Sequence, residues 1–110
     1  MNSAKTPWYI LHAPEIGTKF EEFNKICCKE GVLDKKTKEL IFLVVASVFQ
    51  SSNCIEQHLE GAFKAGATKG EVTEALLIAV AEAGNAQLTW AKQIYSKYLG
   101  DNGHKQVSGS

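Results

Sequence analysis

Three side chains near the middle of the chain, a thiol, an imidazole and a carboxylate, are spaced so that they can act together. Cys54 and His58 belong to the stretch SSNCIEQH at residues 51–58, and positions four apart share one face of a helix. Glu39 stands one long helical segment upstream, so its carboxylate can reach His58 if two helices fold back on each other. This set predicts a thiol site in which Cys54 is the nucleophile, His58 accepts its proton and Glu39 sets the imidazole tautomer.

Each of these residues also has a simpler interpretation. A lone cysteine is more often an inert buried thiol, and a histidine at this spacing is somewhat more often a surface or interface residue. Glu39 taken alone would be an exposed helix carboxylate. A metal site needs three or four convergent ligands, and Cys54, His58 and Glu39 supply three at most; we expect no metal and no other cofactor.

Ser51 occupies the position that the first cysteine of a Cys-x-x-Cys pair would take. A thiolate that attacks a peroxide becomes a sulfenic acid, which a second thiol must resolve. Three sources of that thiol stay open: Cys27 or Cys28, a cysteine of another subunit, or an external small thiol. Cys27 lies on a predicted buried stripe, so Cys28 is the better resolving candidate, and a disulfide between these two neighbours would be strained.

Composition excludes several function classes. The chain has 110 residues, enough for one domain, and its 12 basic residues balance its 12 acidic ones. Without a basic stripe, neither nucleic acid nor an anionic membrane is expected as a partner. The longest apolar run, residues 40–49, is too short to span a bilayer, and no secretory leader opens the chain. Three cysteines make no disulfide framework, so we expect a reduced, cytoplasmic protein.

The elements that must position the site are predicted to be helices throughout. Residues 1–13 are expected to be an extended segment, residues 14–100 a single all-helical domain and residues 101–110 a disordered tail. Within the domain, helices are predicted over about 14–30, 35–50, 53–65, 69–82 and 86–99, with a break at Gly84–Asn85. Asp34 and Thr68 are predicted N-caps, Thr68 with Glu71 as a capping box; Asn53 with Glu56 has a similar form.

Apolar side chains exceed what one small domain can bury. Ile16, Phe20, Phe23 and Cys27 recur at helical spacing and predict one buried stripe. Residues 40–49 and 75–81 are apolar on nearly all sides, so both helices must be enclosed. A chain of this size buries only roughly 60–70% of its surface. The surplus predicts a homo-oligomer with a large helical interface.

The pattern resembles the carboxymuconolactone decarboxylase and alkylhydroperoxidase D-like superfamily over about residues 34–99. The resemblance rests on Glu39, the apolar helix, Cys54-x-x-x-His58 and the turn GATKGEVTEA at residues 66–75. In the peroxidase branch of that superfamily, a glutamate precedes a Cys-x-x-Cys pair and a histidine follows four residues later. By that pattern Glu39, Cys54 and His58 match the glutamate, second cysteine and histidine. Ser51 matches the first cysteine, and Asn53 a position where some members place a second histidine.

The resemblance implies an all-α, alkylhydroperoxidase D-like helical bundle that forms dimers, trimers or hexamers. It implies three functions among which the sequence leaves the choice open. The first is a thiol-dependent peroxidase or antioxidant that takes a small-molecule substrate and is recharged by a thiol reductant. The second is a decarboxylase-like enzyme acting on a cyclic lactone acid, in which His58 and Glu39 act and Cys54 is incidental. The third is a binding or assembly protein that keeps the fold without catalysis.

Overall fold

Residues 6–100 form six α-helices in the computed structural model, which describes only this part of the chain. They are α1 (Trp8–His12), α2 (Pro14–Cys28), α3 (Lys35–Val48), α4 (Ser52–Lys64), α5 (Lys69–Thr89) and α6 (Lys92–Leu99). The prediction of an all-α fold is therefore confirmed for these residues. The predicted disordered tail lies outside them. Within the described part, no helix is both long enough and apolar enough to cross a lipid bilayer.

Helices α3 and α4 form the hairpin on which the fold is built, and the first turns of α5 pack on it. The fully buried Leu43 and Ala62 face each other across this hairpin, and Ala67 and Val72 complete the small core. Four half-buried side chains pack around it: Leu40, Ile55, Leu59 and Leu76. Small residues on α4 let the two helices approach closely, which brings polar side chains of α3 and α4 into contact beside this core.

Two of the predicted caps are confirmed. The Asp34 carboxylate accepts the Thr37 backbone N–H at 2.8 Å and starts α3. The Thr68 hydroxyl accepts the Glu71 N–H at 3.0 Å, while Glu71 accepts the Thr68 N–H at 2.9 Å, completing the capping box of α5. Helix α4, however, begins at Ser52 with Ser51 as an N-cap that makes no side-chain hydrogen bond. The predicted capping box of Asn53 with Glu56 is therefore wrong.

Two other boundaries differ from the prediction. Trp8–His12 are helical rather than extended, because the Pro7 carbonyl accepts the N–H groups of Ile10 and Leu11 and the short helix packs closely on Gly17 of α2. Helix α5 continues through Gly84 and ends only at Thr89. One glycine costs about 1 kcal/mol in a helix, which the surrounding alanine, leucine and glutamate residues offset.

Much of the apolar surface is uncovered in one protomer. On α2, the predicted buried stripe is instead exposed at Ile16, Phe20 and Phe23, because α2 packs mainly on the short α1 and only lightly on α3. From residue 81 onward, almost every residue of α5 and α6 is exposed; we call residues 81–99 the C-terminal arm. The radius of gyration is 20.5 Å, whereas a compact chain of this length has about 13 Å. A single chain thus leaves uncovered much of the apolar surface that was predicted to be buried.

Candidate functional site

His58 and Glu39 form a buried pair between α4 and α3. The Nδ1 atom of His58 lies 2.7 Å from Oε1 of Glu39, and both side chains are 8% exposed. Because an ionised carboxylate can only accept hydrogen bonds, Nδ1 carries the proton and donates it. In the tautomer with the proton on Nδ1, Nε2 is the nitrogen that can accept a proton. The predicted contact between these two residues is confirmed, and the interpretation of Glu39 as an exposed carboxylate is wrong.

Three neighbours fix this pair in place. The ring of Phe42 stacks on the imidazole with centroids 4.6 Å apart and planes 11° from parallel, which holds the ring plane. The Lys35 Nζ atom lies 2.9 Å from the second oxygen of Glu39. Gly61 gives the carboxylate its space, because a Cβ atom there would lie 2.5 Å from the Glu39 Cδ atom. All three were missed by the sequence interpretation, although Lys35 stands four residues before Glu39 and Gly61 three residues after His58.

The charge state of Glu39 follows from these contacts. Burial raises the pKa of its carboxyl, but the hydrogen bonds from His58 and Lys35 and the charge of Lys35 outweigh that effect and hold the pKa below its ordinary value. An ionised Glu39 fits the proton on Nδ1 of His58. The pair is therefore arranged to orient the imidazole, with its Nδ1 atom directed at the carboxylate of Glu39.

This lowered pKa predicts how stability depends on pH. A carboxyl with a lowered pKa in the folded state stabilises the fold fully above its unfolded pKa of about 4.3. That contribution is lost as the pH falls through the lower, folded pKa. We expect Glu39→Gln to reduce the free energy of unfolding near neutral pH and the difference from the native chain to shrink in acid. Urea unfolding at stepped pH measures this, with Glu56→Gln on exposed α4 surface as the control; a constant Glu39→Gln deficit down to pH 2 would contradict it.

Cys54 lies one turn before His58 in the first turn of α4, and its side chain is exposed. The simpler interpretation of Cys54 as a buried thiol is therefore wrong. Ser51 is half-buried at the N-cap, and Asn53 is exposed beside the thiol. Cys27 and Cys28 are half-buried free thiols at the end of α2, and neither has a disulfide partner in this structure.

A polar cavity of about 440 Å³ opens on the other side of Glu39. It lies between the start of α3 and the C-terminal half of α4, and its lining includes Lys35, Gln57, Glu60, Gly61 and Lys64. Two lysines, two carboxylates and an amide at this cavity suit a small polar molecule. Among residues 6–100, no group of three or more histidine, cysteine or acidic side chains converges to hold a metal ion.

A second cavity of about 320 Å³, almost entirely apolar, lies between the end of α2 and α3. It is lined by Cys27, Leu33, Lys38, Ile41, Phe42 and Val45. Phe42 thus forms part of this cavity's wall and also stacks on His58. The site therefore has an apolar space on one flank and the polar cavity beside Glu39.

Comparisons with known proteins give the family to which the chain belongs. A curated protein of Paracoccus denitrificans, "Uncharacterized protein 4 in cox locus", is 43% identical over 60 residues, and the match spans 54% of each chain. No solved structure matches the chain significantly. The model of the carboxymuconolactone decarboxylase family matches residues 14–96, which include α2 to α5 and every residue of the site. The chain therefore belongs to the carboxymuconolactone decarboxylase family.

Proposed function

We propose that the protein is a thiol-dependent peroxidase of the alkylhydroperoxidase D-like type, with Cys54 as its single peroxide-reactive cysteine. The observation that supports this most directly is an exposed thiol one helical turn from a histidine whose tautomer is fixed by a buried carboxylate. Cys54 also lies in the first turn of α4, where backbone N–H groups lack intrahelical partners. Family membership is compatible with this activity and does not by itself select it.

The proposed reaction needs each of the three groups. His58 takes the thiol proton from Cys54, and Glu39 stabilises the resulting imidazolium. The thiolate sulfur attacks the terminal oxygen of an organic hydroperoxide, so that an S–O bond forms and the O–O bond breaks. The leaving alkoxide takes the proton from His58 and departs as the alcohol, and Cys54 remains as a sulfenic acid. An external thiol then attacks the sulfenic sulfur, water leaves, and a second thiol releases the reduced Cys54 as a disulfide forms.

Trapping the sulfenic acid tests the proposal. The reduced protein is exposed to tert-butyl hydroperoxide with dimedone, and the label is located by mass spectrometry. We expect label on Cys54, none at that site in Cys54→Ser, and an unchanged yield in the matched Cys27→Ser and Cys28→Ser variants. His58→Gln is expected to slow labelling by roughly 100-fold, the usual contribution of a positioned acid–base group. An unlabelled Cys54 in the native protein would rule the peroxidase out.

A lactone-processing enzyme is the second candidate, and two observations favour it. Ser51 removes the internal resolving cysteine, and a polar cavity of a size that admits a small substrate lies beside Glu39, with Lys64 and Gln57 in its lining. In that reaction His58 and Glu39 would exchange protons with the substrate. Full turnover of such a lactone by Cys54→Ser would establish this function, and inactivity in both assays would indicate a binding or assembly protein.

We also propose that the working form is a homo-oligomer. The described protomer leaves large apolar side chains exposed on α2, on the outer face of α3 and along the C-terminal arm. Exposed apolar area of this extent is unusual for a monomer and typical of subunit interfaces. A second copy of the chain supplies matching apolar faces and needs no other partner.

A further inference from the structure

We propose that Lys35 is a positioning residue of the Cys54 site, whose ammonium group orients the Glu39 carboxylate on His58 and ties that pair to the end of α2. The inference deepens the proposed thiol function and rests on it for its catalytic consequence. The residue stands at the start of α3, one turn before Glu39. It belongs to a basic first turn that opposes the α3 dipole, and its spacing from Glu39 is that of an i,i+4 helical ion pair.

Lys35 makes two contacts that join different parts of the fold. Its Nζ atom lies 2.9 Å from Oε2 of Glu39 and donates to the carbonyl oxygen of Cys28 at 2.7 Å. That carbonyl is at the C-terminal end of α2, where unpaired carbonyl groups favour a cation. One ammonium group thus satisfies the end of α2 and one oxygen of the site's carboxylate.

Each carboxylate oxygen of Glu39 has its own partner, which explains why the Lys35 contact matters for His58. Oε1 of Glu39 accepts from the imidazole at 2.7 Å, and Oε2 accepts from Lys35. With both oxygens held, the carboxylate plane is fixed and the hydrogen bond to Nδ1 keeps its direction. Without Lys35, rotation of the carboxylate into the adjoining cavity would compete with the histidine contact.

The remaining charges around Glu39 do not replace Lys35. On α4, Glu60 and Lys64 line the same cavity, but neither contacts the carboxylate within salt-bridge distance. Lys36 on α3 is engaged by Glu71 at 3.0 Å. Among the described residues, Lys35 is therefore the lysine that contacts Glu39, whose other partner is His58.

Lys38 provides a matched control within the same helix. Its Nζ atom donates to the Lys29 carbonyl at 2.6 Å, which is the same kind of contact with the chain that ends α2. It does not contact Glu39. If Lys35 served only to satisfy the end of α2, replacing either lysine by methionine would have the same consequences.

The test compares Lys35→Met, Lys35→Arg and Lys38→Met in the full chain by NMR. We expect Lys35→Met to raise the titration midpoint of the Glu39 carboxyl carbon, because the carboxylate loses the hydrogen bond and the charge of the ammonium group. It should also shift the Nδ1 resonance of His58 and slow dimedone labelling of Cys54. Lys35→Arg should restore all three, and Lys38→Met should leave them at native values. Lys35→Gln replaces Lys35→Met if the latter does not fold.

Two results would overturn the proposal. One is that Lys35→Met leaves the Glu39 titration and the His58 resonance at native values. The other is that Lys38→Met moves them equally. The NMR readouts do not depend on Cys54 chemistry, so they remain decisive if Cys54 forms no sulfenic acid. In that case the proposed function fails while the role of Lys35 in orienting Glu39 stands.

Discussion

Gly61→Ala is expected to destabilise the protein by roughly 3 kcal/mol, although alanine is the better helix former. In an open helix position the change would favour folding by about 1 kcal/mol. At residue 61 the new methyl group would lie 2.5–2.8 Å from all three carboxyl atoms of Glu39. The carboxylate must move, and breaking its pairing with His58 leaves buried polar groups unsatisfied. That penalty exceeds the gain in helix propensity.

Gly70→Ala is the matched control for this prediction. Gly70 lies in the first turn of α5, and the nearest atom to an added Cβ there is the Thr68 hydroxyl oxygen at 3.8 Å, an ordinary contact. We expect the free energy of unfolding of Gly70→Ala to equal that of the native chain or to exceed it by about 0.5 kcal/mol. Urea unfolding at fixed protein concentration compares the two variants. A Gly61→Ala protein as stable as Gly70→Ala, with an unshifted His58 imidazole signal, would contradict the close contact with Glu39.

The second large effect is expected on self-association. Leu88 and Ile94 are 71% and 60% exposed in the C-terminal arm, and in the proposed oligomer they are buried against another copy. Replacing both by glutamate removes about 2 kcal/mol of apolar burial at each position, a loss of roughly 1,000-fold in affinity before the cost of burying charge. We expect the native chain to sediment as an oligomer at micromolar concentration and the Leu88→Glu/Ile94→Glu protein to sediment as a monomer.

The chain supplies its own control for added charge. Gln87 and Gln93 immediately precede the two apolar residues and are also exposed. The Gln87→Glu/Gln93→Glu protein has the same charge as the apolar variant and keeps Leu88 and Ile94. It should remain oligomeric in sedimentation velocity experiments. A monomeric native chain, or equal dissociation of both double variants, would remove the proposed interface.

The pairing of Glu39 with His58 could be predicted from sequence because it depends on local periodicity. Two helices joined by a short turn can fold back on each other, and Glu39 and His58 then lie at positions from which their side chains can meet. The Asp34 cap and the Thr68–Glu71 box were predictable for the same reason, since each is complete within four residues.

The features that sequence did not predict depend on contacts between distant residues. Gly61 is required by a carboxylate on another helix, and nothing near it in the chain indicates that constraint. The contact of Lys35 with the Cys28 carbonyl depends on where α2 ends in space, whereas its ion pair with Glu39 has ordinary helical spacing. The stripe of Phe20 and Phe23 has the helical period of a buried face, but periodicity does not reveal whether the covering surface belongs to the same protomer.

The link between Lys36 and Glu71 has a mechanical consequence. Glu71 caps α5 with one oxygen and accepts from Lys36 of α3 with the other, so this contact acts with the core packing of Val72 and Leu76 to set the direction in which α5 leaves the hairpin. The helix has 21 residues and is roughly 30 Å long, so a tilt of about 10° at its start would displace its far end by roughly 5 Å. The position of the C-terminal arm therefore depends on the contacts made at the start of α5.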